Sequence, residues 1–333
     1  MKPFRSFRVY ESEDKISGRL EATELGQLGP GNVVIQSHYS SINYKDALGA
    51  TGAGKILRRF PMVAGIDVAG EVLESEDPRF KKGQEVLVTG CGLGEDHDGG
   101  YSEIVRVPGD WVVPIPDGLT TKEAMILGTA GFTAALCLHR LEQNGQSTDQ
   151  GPIVVTGASG GVGLLATQIL SQMNYQVLAV SGKSDARGLL KEMGACEVLE
   201  PSELNLGSRP LEKARWAGAI DNVGGDLLSG LIPHIDLWGN IACVGMAGGH
   251  SLKATVFPMI LRGVSLLGIS STNCPMPLRQ TLWKRLAQEW KPHALQQTLS
   301  KTVTLDNLEE GFASILQRKN WGRILVDCRA QDN

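Results

Sequence analysis

Residues 152–173 read Pro-Ile-Val-Val-Thr-Gly-Ala-Ser-Gly-Gly-Val-Gly-Leu-Leu-Ala-Thr-Gln-Ile-Leu-Ser-Gln-Met. The run from Ile153 to Thr156 is β-branched and breaks into a glycine cluster, which is typical of a strand entering a tight turn. After the turn, apolar residues recur at the i, i+3, i+4 and i+7 spacing of one helical face, at Val162, Leu165, Ala166, Ile169, Leu170 and Met173. The stretch therefore predicts a strand, a glycine-rich turn and a helix in direct succession.

The turn has the spacing of a dinucleotide-binding motif. Ala158-x-Gly160-x-x-Gly163 matches the glycine fingerprint, with Ala in the place of the first glycine. Free amides and the positive dipole end at a helix N-terminus favour a phosphate, and glycines let it come close. The motif therefore predicts a pyrophosphate site. An ordinary glycine-rich turn is the alternative, because such motifs also match by chance.

The next predicted strand, Gln176–Val180, ends in Ser181-Gly182-Lys183. A unit that binds NAD would carry Asp or Glu about 20 residues after the fingerprint, to hold the ribose 2′-hydroxyl. A hydroxyl, a glycine and a cation stand there instead, and they match a 2′-phosphate that a carboxylate would repel. NADPH is therefore the predicted cofactor. The alternative is that Lys183 is a solvated surface charge.

Length and composition limit the class of protein. A chain of 333 residues suggests about two domains, and 42% hydrophobic with 20% charged residues is typical of a soluble globular protein. The net charge of −4 gives no electrostatic reason to expect nucleic acid or an anionic membrane surface as a partner. Neither partner is predicted.

The N-terminus and the cysteines predict a cytoplasmic protein. Residues 1–5 lack the apolar region of a signal peptide, and no uninterrupted apolar run of 18 residues occurs. The six cysteines are scattered without a Cys-x-x-Cys pair, which argues against a disulfide framework and against a cysteine-rich zinc site.

Residues up to about 120 predict a small β-barrel-like domain. Its strand candidates are Asn32–Ser37, Val68–Leu73 and Glu85–Thr89, with a loop over Gly90–Gly94. Two helices are then predicted, the first capped by Thr120 or Thr121 with Glu123 in its first turn, the second from about Thr133 to Leu141.

From Pro152 onward, strand and helix patterns alternate, which predicts a parallel, doubly wound sheet. The later strands are predicted at Cys196–Leu199, Gly218–Asp221, Asn240–Val244 and Val264–Ile269, followed by a helix over Leu278–Trp290. The tail predicts a strand, a helix and a strand at Lys301–Leu305, Leu308–Gln317 and Arg323–Asp327. We assign this last stretch to the first domain.

Several segments together resemble the medium-chain dehydrogenase/reductase superfamily over nearly the whole chain. They are Ser-Ile-Asn-Tyr-Lys-Asp (41–46), Pro-Met-Val-Ala-Gly-Ile-Asp-Val-Ala-Gly (61–70), Gly-Thr-Ala-Gly-Phe-Thr-Ala (128–134), the glycine turn, and Asp-Asn-Val-Gly-Gly (221–225). Within the superfamily the chain is most similar to the zinc-independent quinone-oxidoreductase-like branch, and there to the acrylyl-CoA reductase group. The resemblance implies an α/β fold with a GroES-like β-barrel-type catalytic domain, residues 1–124 completed by 292–333, and a Rossmann domain, residues 125–291, with a doubly wound parallel sheet.

The residues also bear on zinc. Alcohol dehydrogenases of this superfamily carry Gly-His-Glu where this chain has Gly65-Ile66-Asp67. The chain also lacks a cysteine in Asn43–Asp46 and a four-cysteine lobe near Cys91. With these ligand sets missing, no metal is predicted, and reduction of an activated double bond fits better than oxidation of a metal-bound alcohol.

The resemblance implies reduction of a short enoyl-CoA, acrylyl-CoA to propanoyl-CoA, with NADPH. We predict Tyr44, Asn43 and Asp67 as catalytic residues, with Tyr44 as nicotinamide contact and possible proton donor and Asn43 as a hydrogen-bond donor. Tyr44 could instead simply pack in the core. Asp67 could orient a donor or position Lys45, or be a structural carboxylate. A quinone oxidoreductase and a non-catalytic NADPH-binding protein are the alternative functions.

Further cofactor contacts are implied by the resemblance. They are Thr129, Ser159, Gly160, Gly161, Val162, Ser181, Gly182, Lys183, Met246, Ile260, Ser271 and Arg318. Family members often carry Arg at position 183, so discrimination for the 2′-phosphate is expected to be weaker with Lys.

Two kinds of partner are predicted besides the cofactor. The first is a coenzyme A thioester, and five cations are candidates to bind its phosphates: Lys45, Lys55, Arg58, Arg59 and Arg279. The alternative for each of them is a plain surface cation. A homodimer is implied by the resemblance, formed through the strand Val264–Ile269 at the edge of the sheet.

Overall fold

The computed structural model describes residues 2–13 and 15–329. The strands are β1 Phe4–Ser12, β2 Lys15–Thr23, β3 Val33–Ile42, β4 Met62–Val63, β5 Asp67–Ser75, β6 Glu85–Thr89, β7 Ile104–Val107, β8 Val113–Pro114, β9 Ile153–Thr156, β10 Val177–Val180, β11 Glu197–Leu199, β12 Trp216–Asp221, β13 Ile235–Cys243, β14 Ser265–Gly268, β15 Leu299–Thr304 and β16 Arg323–Asp327. The α-helices are α1 Tyr44–Thr51, α2 Thr121–Gln143, α3 Gly161–Gln172, α4 Arg187–Glu192, α5 Gly225–Leu231, α6 Phe257–Arg262, α7 Met276–Ala287 and α8 Leu308–Leu316.

The chain divides into two compact units. Unit 1 comprises Met1–Thr129, Ser271–Gln288 and Leu295–Asn333, and unit 2 comprises Ala130–Ser270 and Glu289–Ala294. The domain boundaries predicted above stay a prediction. Helix α7 belongs to unit 1, although its sequence position follows the last strand of unit 2.

Unit 1 is built on a seven-stranded sheet in the order β15-β16-β3-β5-β6-β8, with β7 also paired to β3, and on a three-stranded sheet in the order β2-β1-β4. Strand β3 is long enough to pair with two strands along one edge, β7 near its start and β16 near its end. Because β16 pairs with β3, the end of the chain completes the sheet that the first hundred residues begin, as the sequence predicts.

Several elements of unit 1 were not predicted from the sequence: the short strands β4, β7 and β8, the hairpin of β1 and β2, and the helix α1. The hairpin β1–β2 pairs along its whole length, from Phe4 opposite Thr23 to Ser12 opposite Lys15. The helix α1 is short, and its interior glycine Gly49 lowers helix propensity. Neither its length nor its composition separates it from a loop.

Unit 2 is an open parallel sheet in the order β11-β10-β9-β12-β13-β14. The order corresponds to 3-2-1-4-5-6 when β9 is counted as the first strand, which is the doubly wound dinucleotide-binding arrangement. The strand β9 is fully buried on both faces, as expected of a central parallel strand. The predicted strands of this unit are present within a few residues of their expected bounds, except that β13 starts at Ile235 instead of Asn240.

Helix α2 is divided in two at Gly128, in agreement with the prediction of two helices, but the second segment starts directly after Gly128 and not near Thr133. Helical structure resumes directly after Gly128, whose φ of 51° and ψ of −155° interrupt the helix. This conformation favours glycine. Within the part of the chain that is described, α2 is the one helix long and apolar enough to span a membrane, and 83% of its most apolar window is buried inside the protein, as in the core helix of a globular protein.

Candidate active site

The glycine turn of unit 2 joins β9 to α3 and leaves room for a phosphate. A Cβ at Gly163 would lie 2.4 Å from the carbonyl oxygen of Gly157, so the helix packs directly on the turn. A Cβ at Gly160 would meet only that same oxygen, at 3.3 Å. The N-terminus of α3 is thus open beside Gly160, and its amides and dipole fit a pyrophosphate.

The carboxyl end of β10 carries the residues predicted to hold a 2′-phosphate. The buried hydroxyl of Ser181 donates to Ser159 Oγ at 2.9 Å, and the backbone amide of Lys183 donates to Ser181 Oγ at 3.1 Å. Partial burial lowers the pKa of the Lys183 ammonium. The charge of the Asp185 carboxylate acts in the opposite direction on Lys183. The hydroxyls of Ser159 and Ser181 and the amide and ammonium of Lys183 are donors that fit a phosphate.

Asp221, the last residue of β12, connects the end of β9 to the turn that follows β12. Its carboxylate accepts hydrogen bonds from Thr156 Oγ1 at 2.6 Å and from the Gly224 amide at 2.7 Å. Burial raises the pKa of this carboxyl group. The side chain therefore holds together the carboxyl ends of the two strands between which the strand order reverses, where doubly wound folds bind their ligands.

Met246 and Ile260, the remaining predicted cofactor contacts of unit 2, are exposed by 69% and 73%. Further large apolar side chains between positions 237 and 261 of the same unit are exposed, and we call the whole set the 237–261 patch. It consists of Leu237, Trp238, Met246, Leu252, Val256, Phe257, Ile260 and Leu261. An exposed apolar surface of this kind marks a binding or assembly surface.

In unit 1, Tyr44 is the first residue of α1 and is 46% exposed. The preceding residue, Asn43, caps the helix together with Asp46, whose Oδ2 accepts from the Asn43 backbone amide at 2.8 Å. The other oxygen of Asp46 accepts from the Ile66 amide at 2.9 Å. These bonds fix the start of the helix and hence the backbone of Tyr44.

Asn43 also faces a group of buried polar side chains, which we call the Asp67 cluster. It consists of Ser41, Asn43, Asp46, Asp67, Thr129 and Arg323. The Asp67 carboxylate accepts from Ser41 Oγ at 2.6 Å, from Asn43 Nδ2 at 2.8 Å and from Thr129 Oγ1 at 2.5 Å. The Thr129 backbone amide also donates to Asp67, at 3.0 Å.

Arg323, at the start of β16, supplies the positive charge of the cluster. Its guanidinium donates to Ser41 Oγ at 2.7 Å, Asn43 Oδ1 at 3.1 Å and the Ile126 carbonyl oxygen at 3.0 Å, and it lies 3.9 Å from Asp67. Both side chains of this ion pair are nearly inaccessible, at 3% and 0% exposure. Burial lowers the pKa of Arg323.

The cluster contains a second carboxyl group. Burial and the charge of Asp67 raise the pKa of Asp46 to about 7. Asn43 Nδ2 donates to both carboxylates, to Asp46 at 3.1 Å and to Asp67 at 2.8 Å. With Oδ1 bound to Arg323, the whole Asn43 amide is engaged inside the protein.

Gly128 is required by this cluster. A Cβ at Gly128 would lie within 2.8 Å of Asp67 Oδ2, Arg323 Nη2 and Ser41 Oγ. At the break in α2, the backbone therefore contacts buried charged groups, and no side chain fits there. The break also orients the Thr129 amide so that it donates to Asp67.

The structure thus brings together Asn43, Asp67 and Thr129 among the predicted residues of unit 1. Lys45 is 2.9 Å from Glu95 and not with Asp67, so Asp67 acts on the network of hydroxyls and amides instead. Ser271 accepts from Arg279 through its carbonyl oxygen, and Arg318 lies exposed after α8. The roles of these residues toward the cofactor stay predictions.

Sequence reasoning missed Ser41, Asp46 and Arg323. Two signals were available: Asn43-x-x-Asp46 has the spacing of a capping pair, and Arg323 opens a strand that is otherwise apolar through Val326. Arg279, a predicted coenzyme A contact, is fully buried and donates to Thr89 and Thr272 carbonyl oxygens, so it holds α7 and not a phosphate.

No three His, Cys, Asp or Glu side chains in the described ranges are grouped as metal ligands. The six cysteines are unpaired.

A 3-2-1-4-5-6 parallel sheet with a glycine turn after its first strand is the arrangement of dinucleotide-binding proteins, and in this chain it is joined to a unit built on mainly antiparallel sheets. Two family models match, the alcohol dehydrogenase GroES-like domain over residues 29–117 and the zinc-binding dehydrogenase over residues 161–288.

Three similar proteins make the assignment narrower. Acrylyl-CoA reductase AcuI of Ruegeria pomeroyi is 42% identical, with 96% of this chain and 98% of AcuI covered. YhfP of Bacillus subtilis, provisionally named a quinone oxidoreductase, is 44% identical, with 97% and 98% covered. Its crystal structure with NAD bound has a TM-score of 0.96 at 43% identity, covering 98% of this chain and 100% of that one. The yhdH oxidoreductase of Salmonella enterica in complex with NADP has a TM-score of 0.94 at 45% identity, covering 98% and 100%.

The chain belongs to the medium-chain dehydrogenase/reductase superfamily, in its quinone-oxidoreductase-like branch near the acrylyl-CoA reductases. The predicted family and the predicted fold class are confirmed.

Proposed function

We propose that the protein reduces the carbon–carbon double bond of a short enoyl-CoA with NADPH, and that acrylyl-CoA, giving propanoyl-CoA, is its substrate. The coarser assignment, an NADP-dependent oxidoreductase, is supported by family membership and by the relative crystallised with NADP. The choice of thioester is supported by the AcuI relative, which matches over nearly its full length.

The residues of unit 2 support NADPH over NADH. The open turn at Gly160 would hold the pyrophosphate, and Ser181 with Lys183 would hold the 2′-phosphate. YhfP was crystallised with NAD. The preference for NADPH is supported by the Ser181 hydroxyl and the Lys183 ammonium, which are donors at the carboxyl end of β10 where an NAD-binding unit would carry a carboxylate.

When bound, NADPH supplies a hydride to the β-carbon of the acyl chain. Negative charge then develops on the thioester oxygen, and the α-carbon takes up a proton, so the balance is one hydride and one proton per double bond. The Tyr44 hydroxyl is the exposed donor among the predicted catalytic residues, and we assign to it the hydrogen bond or proton that this step requires.

Asn43 and Asp67 position the start of α1, and neither is proposed to contact the substrate. Because both hydrogens of the Asn43 amide are used by carboxylates, Asn43 fixes the first turn of α1 instead of donating to substrate. The single observation that carries the mechanism is this arrangement: an exposed tyrosine follows an asparagine that a buried ionic network holds on every polar atom.

The direct test follows NADPH oxidation with acrylyl-CoA, crotonyl-CoA and a simple quinone side by side. The proposal expects the highest kcat/KM with acrylyl-CoA. A higher value with the quinone would favour the second candidate, a quinone oxidoreductase, for which the provisional name of YhfP is the supporting observation. Tight NADPH binding without turnover of any acceptor would favour the non-catalytic alternative.

We also propose that the protein is a cytoplasmic homodimer. Strand β14 lies at the end of its sheet, and no strand of the described residues pairs with its outer edge. The 237–261 patch leaves large apolar side chains exposed in the same unit. Both features would be covered by a second copy. Six unpaired cysteines fit a reducing compartment. Sedimentation at the mass of one chain would contradict the dimer.

A further inference from the structure

We infer that Lys55 and Arg58 bind the phosphate groups of the coenzyme A thioester and so make the enzyme select coenzyme A over shorter thiol carriers. The inference rests on the function proposed above. It names the residues that bind the coenzyme A end of the substrate, away from the reacting carbons.

The other predicted cations already have partners. Arg279 is fully buried against backbone carbonyl oxygens. Lys45 Nζ lies 2.9 Å from Glu95 Oε1, and Arg59 Nη2 lies 3.1 Å from Asp98 Oδ2. The two carboxylate side chains are only 12% and 4% exposed, so these pairs are part of the folded structure.

Lys55 and Arg58 differ from them. Both residues are exposed, and neither side chain forms a hydrogen bond or ion pair with another residue in the described ranges. Their charges are therefore available to a ligand. The adjoining turn still carries an exposed carboxylate, Asp96, but Glu95 and Asp98 are neutralised by Lys45 and Arg59.

The backbone that carries these two cations is fixed. Between them, Ile56 and Leu57 turn inward: a Cβ at Gly49 would lie 3.1 Å from Ile56 Cβ and 3.5 Å from Leu57 Cγ. Leu57 packs on the core cluster of unit 1. The Arg58 amide donates to the Glu95 carbonyl oxygen at 2.8 Å. The cations thus flank an anchored apolar pair instead of lying on a loose loop.

The two cations lie on a segment that is tied to the start of α1. After α1 the chain turns back, and the Gly54 amide donates to the Leu48 carbonyl oxygen. The Arg58 amide donates to Glu95, whose carboxylate lies 2.9 Å from Nζ of Lys45, the residue that follows Tyr44. A ligand phosphate bound by Lys55 and Arg58 would therefore lie in the same part of unit 1 as the predicted catalytic hydroxyl. Lys and Arg are the side chains that bind phosphate best.

The test compares acrylyl-CoA with acrylyl-pantetheine, which has the same acyl group and arm but no phosphate at the other end. The variant is Lys55→Ala/Arg58→Ala. The matched control is Lys81→Ala/Lys82→Ala, which removes two exposed cations of the same unit from the turn between β5 and β6. Calorimetric titration of each protein with free coenzyme A gives a second readout that does not depend on turnover.

We expect the variant to raise KM for acrylyl-CoA, and Kd for coenzyme A, by about tenfold, because each exposed charge pair contributes up to about fivefold. Its kcat is expected to stay the same, since binding away from the reacting carbons is equal in ground and transition states. The KM of the variant for acrylyl-pantetheine is expected to equal that of the unaltered enzyme, because this substrate has no terminal phosphate for the two cations to bind.

Two outcomes overturn the inference and leave the proposed function intact. In the first, the KM of the Lys55→Ala/Arg58→Ala variant for acrylyl-CoA changes no more than that of the control variant. In the second, its KM rises equally for both thioesters. If the unaltered enzyme reduces neither thioester, the proposed function fails first and the inference falls with it.

Discussion

The glycine turn of unit 2 presents backbone atoms of consecutive residues to solvent, whereas the Asp67 cluster of unit 1 joins side chains from positions 41 to 323 inside the protein. In the turn, the Ala158 and Gly160 amides donate to Val180 and Gly157, so the donors that can meet a ligand are the first amides of α3. The polar side chains of the cluster bond to one another. The comparison suggests two different tasks: we assign cofactor binding to the turn, and we assign to the cluster the positioning of the helix that starts at Tyr44. Each prediction below tests whether the two regions can be disturbed independently.

The largest effect is expected from Arg323→Met. The substitution leaves the buried Asp67 charge without its ion partner, which costs roughly 3–5 kcal/mol in the free energy of unfolding. Urea denaturation measures it. Arg318→Met is the matched control, because Arg318 is exposed and five positions away, and it should change stability by about 0.5 kcal/mol or less. A loss below about 1 kcal/mol for Arg323→Met would mean that the cluster does not depend on this ion pair.

Tyr44→Phe is expected to affect chemistry and not folding. Removal of a proton donor lowers kcat by roughly 100-fold or more. The thermal midpoint should stay within about 1 °C of the unaltered protein, since an exposed hydroxyl contributes little to stability. Stopped-flow turnover with saturating NADPH and thermal denaturation are the two measurements. Unchanged turnover would remove Tyr44 from the reaction.

A pair of glycine substitutions sharpens the description of the turn. Gly163→Ala places a methyl group 2.4 Å from a carbonyl oxygen, so we expect roughly 1–3 kcal/mol of destabilisation. Gly160→Ala meets its nearest atom at 3.3 Å and should spare stability while weakening NADPH binding. Denaturation and fluorescence titration separate the two effects. Equal destabilisation by both substitutions would contradict the open side of the turn.

Lys183→Ala tests the 2′-phosphate contact. Loss of one charge-assisted hydrogen bond to a phosphate should reduce the ratio of kcat/KM for NADPH over NADH by about tenfold, with NADH itself unaffected. Lys191→Ala, in the following helix, is the control. If the NADPH/NADH ratio of kcat/KM stays constant, Lys183 is a surface cation that does not contact the 2′-phosphate.

The Asp67 cluster also predicts a pH dependence of stability. The pKa of Asp46 is about 7 in the folded protein and about 3.9 when unfolded. Between these values the folded state keeps a proton that the unfolded state releases, so this contribution to stability is complete at low pH and is lost as the pH rises through 7. Arg323, Asp67 and Tyr101 are the charged and titratable groups around it.

We therefore expect the thermal midpoint of the unaltered protein to fall more between pH 5 and pH 8 than that of Asp46→Asn, which cannot titrate. The difference between the two profiles removes the contribution of other titrating groups. Parallel profiles would show that Asp46 is already ionised at pH 5.

The two regions also differ in how well the sequence predicts them. The turn and its flanking strand and helix are local, so periodicity and glycine spacing predict them within a few residues. The Asp67 cluster depends on β16 pairing with β3, which brings Arg323 beside Ser41. No local pattern encodes a contact across 282 positions.

Short elements failed for a related reason. Helix α1 has eight residues and is stabilised by its cap and by packing, not by propensity. Asn43 looked like a donor for substrate because an amide next to a tyrosine suggests one. Only the fold reveals that Arg323, Asp46 and Asp67 already use it.

The central claim is that unit 2 binds a phosphorylated dinucleotide through the turn at Gly160 and the cation at Lys183. Calorimetric titration of the full chain with NADPH and NADH tests it most directly. NADPH is expected to bind at least about tenfold more tightly than NADH, which is the contribution of one charge-assisted contact. Equal affinities, or tighter binding of NADH, would contradict it.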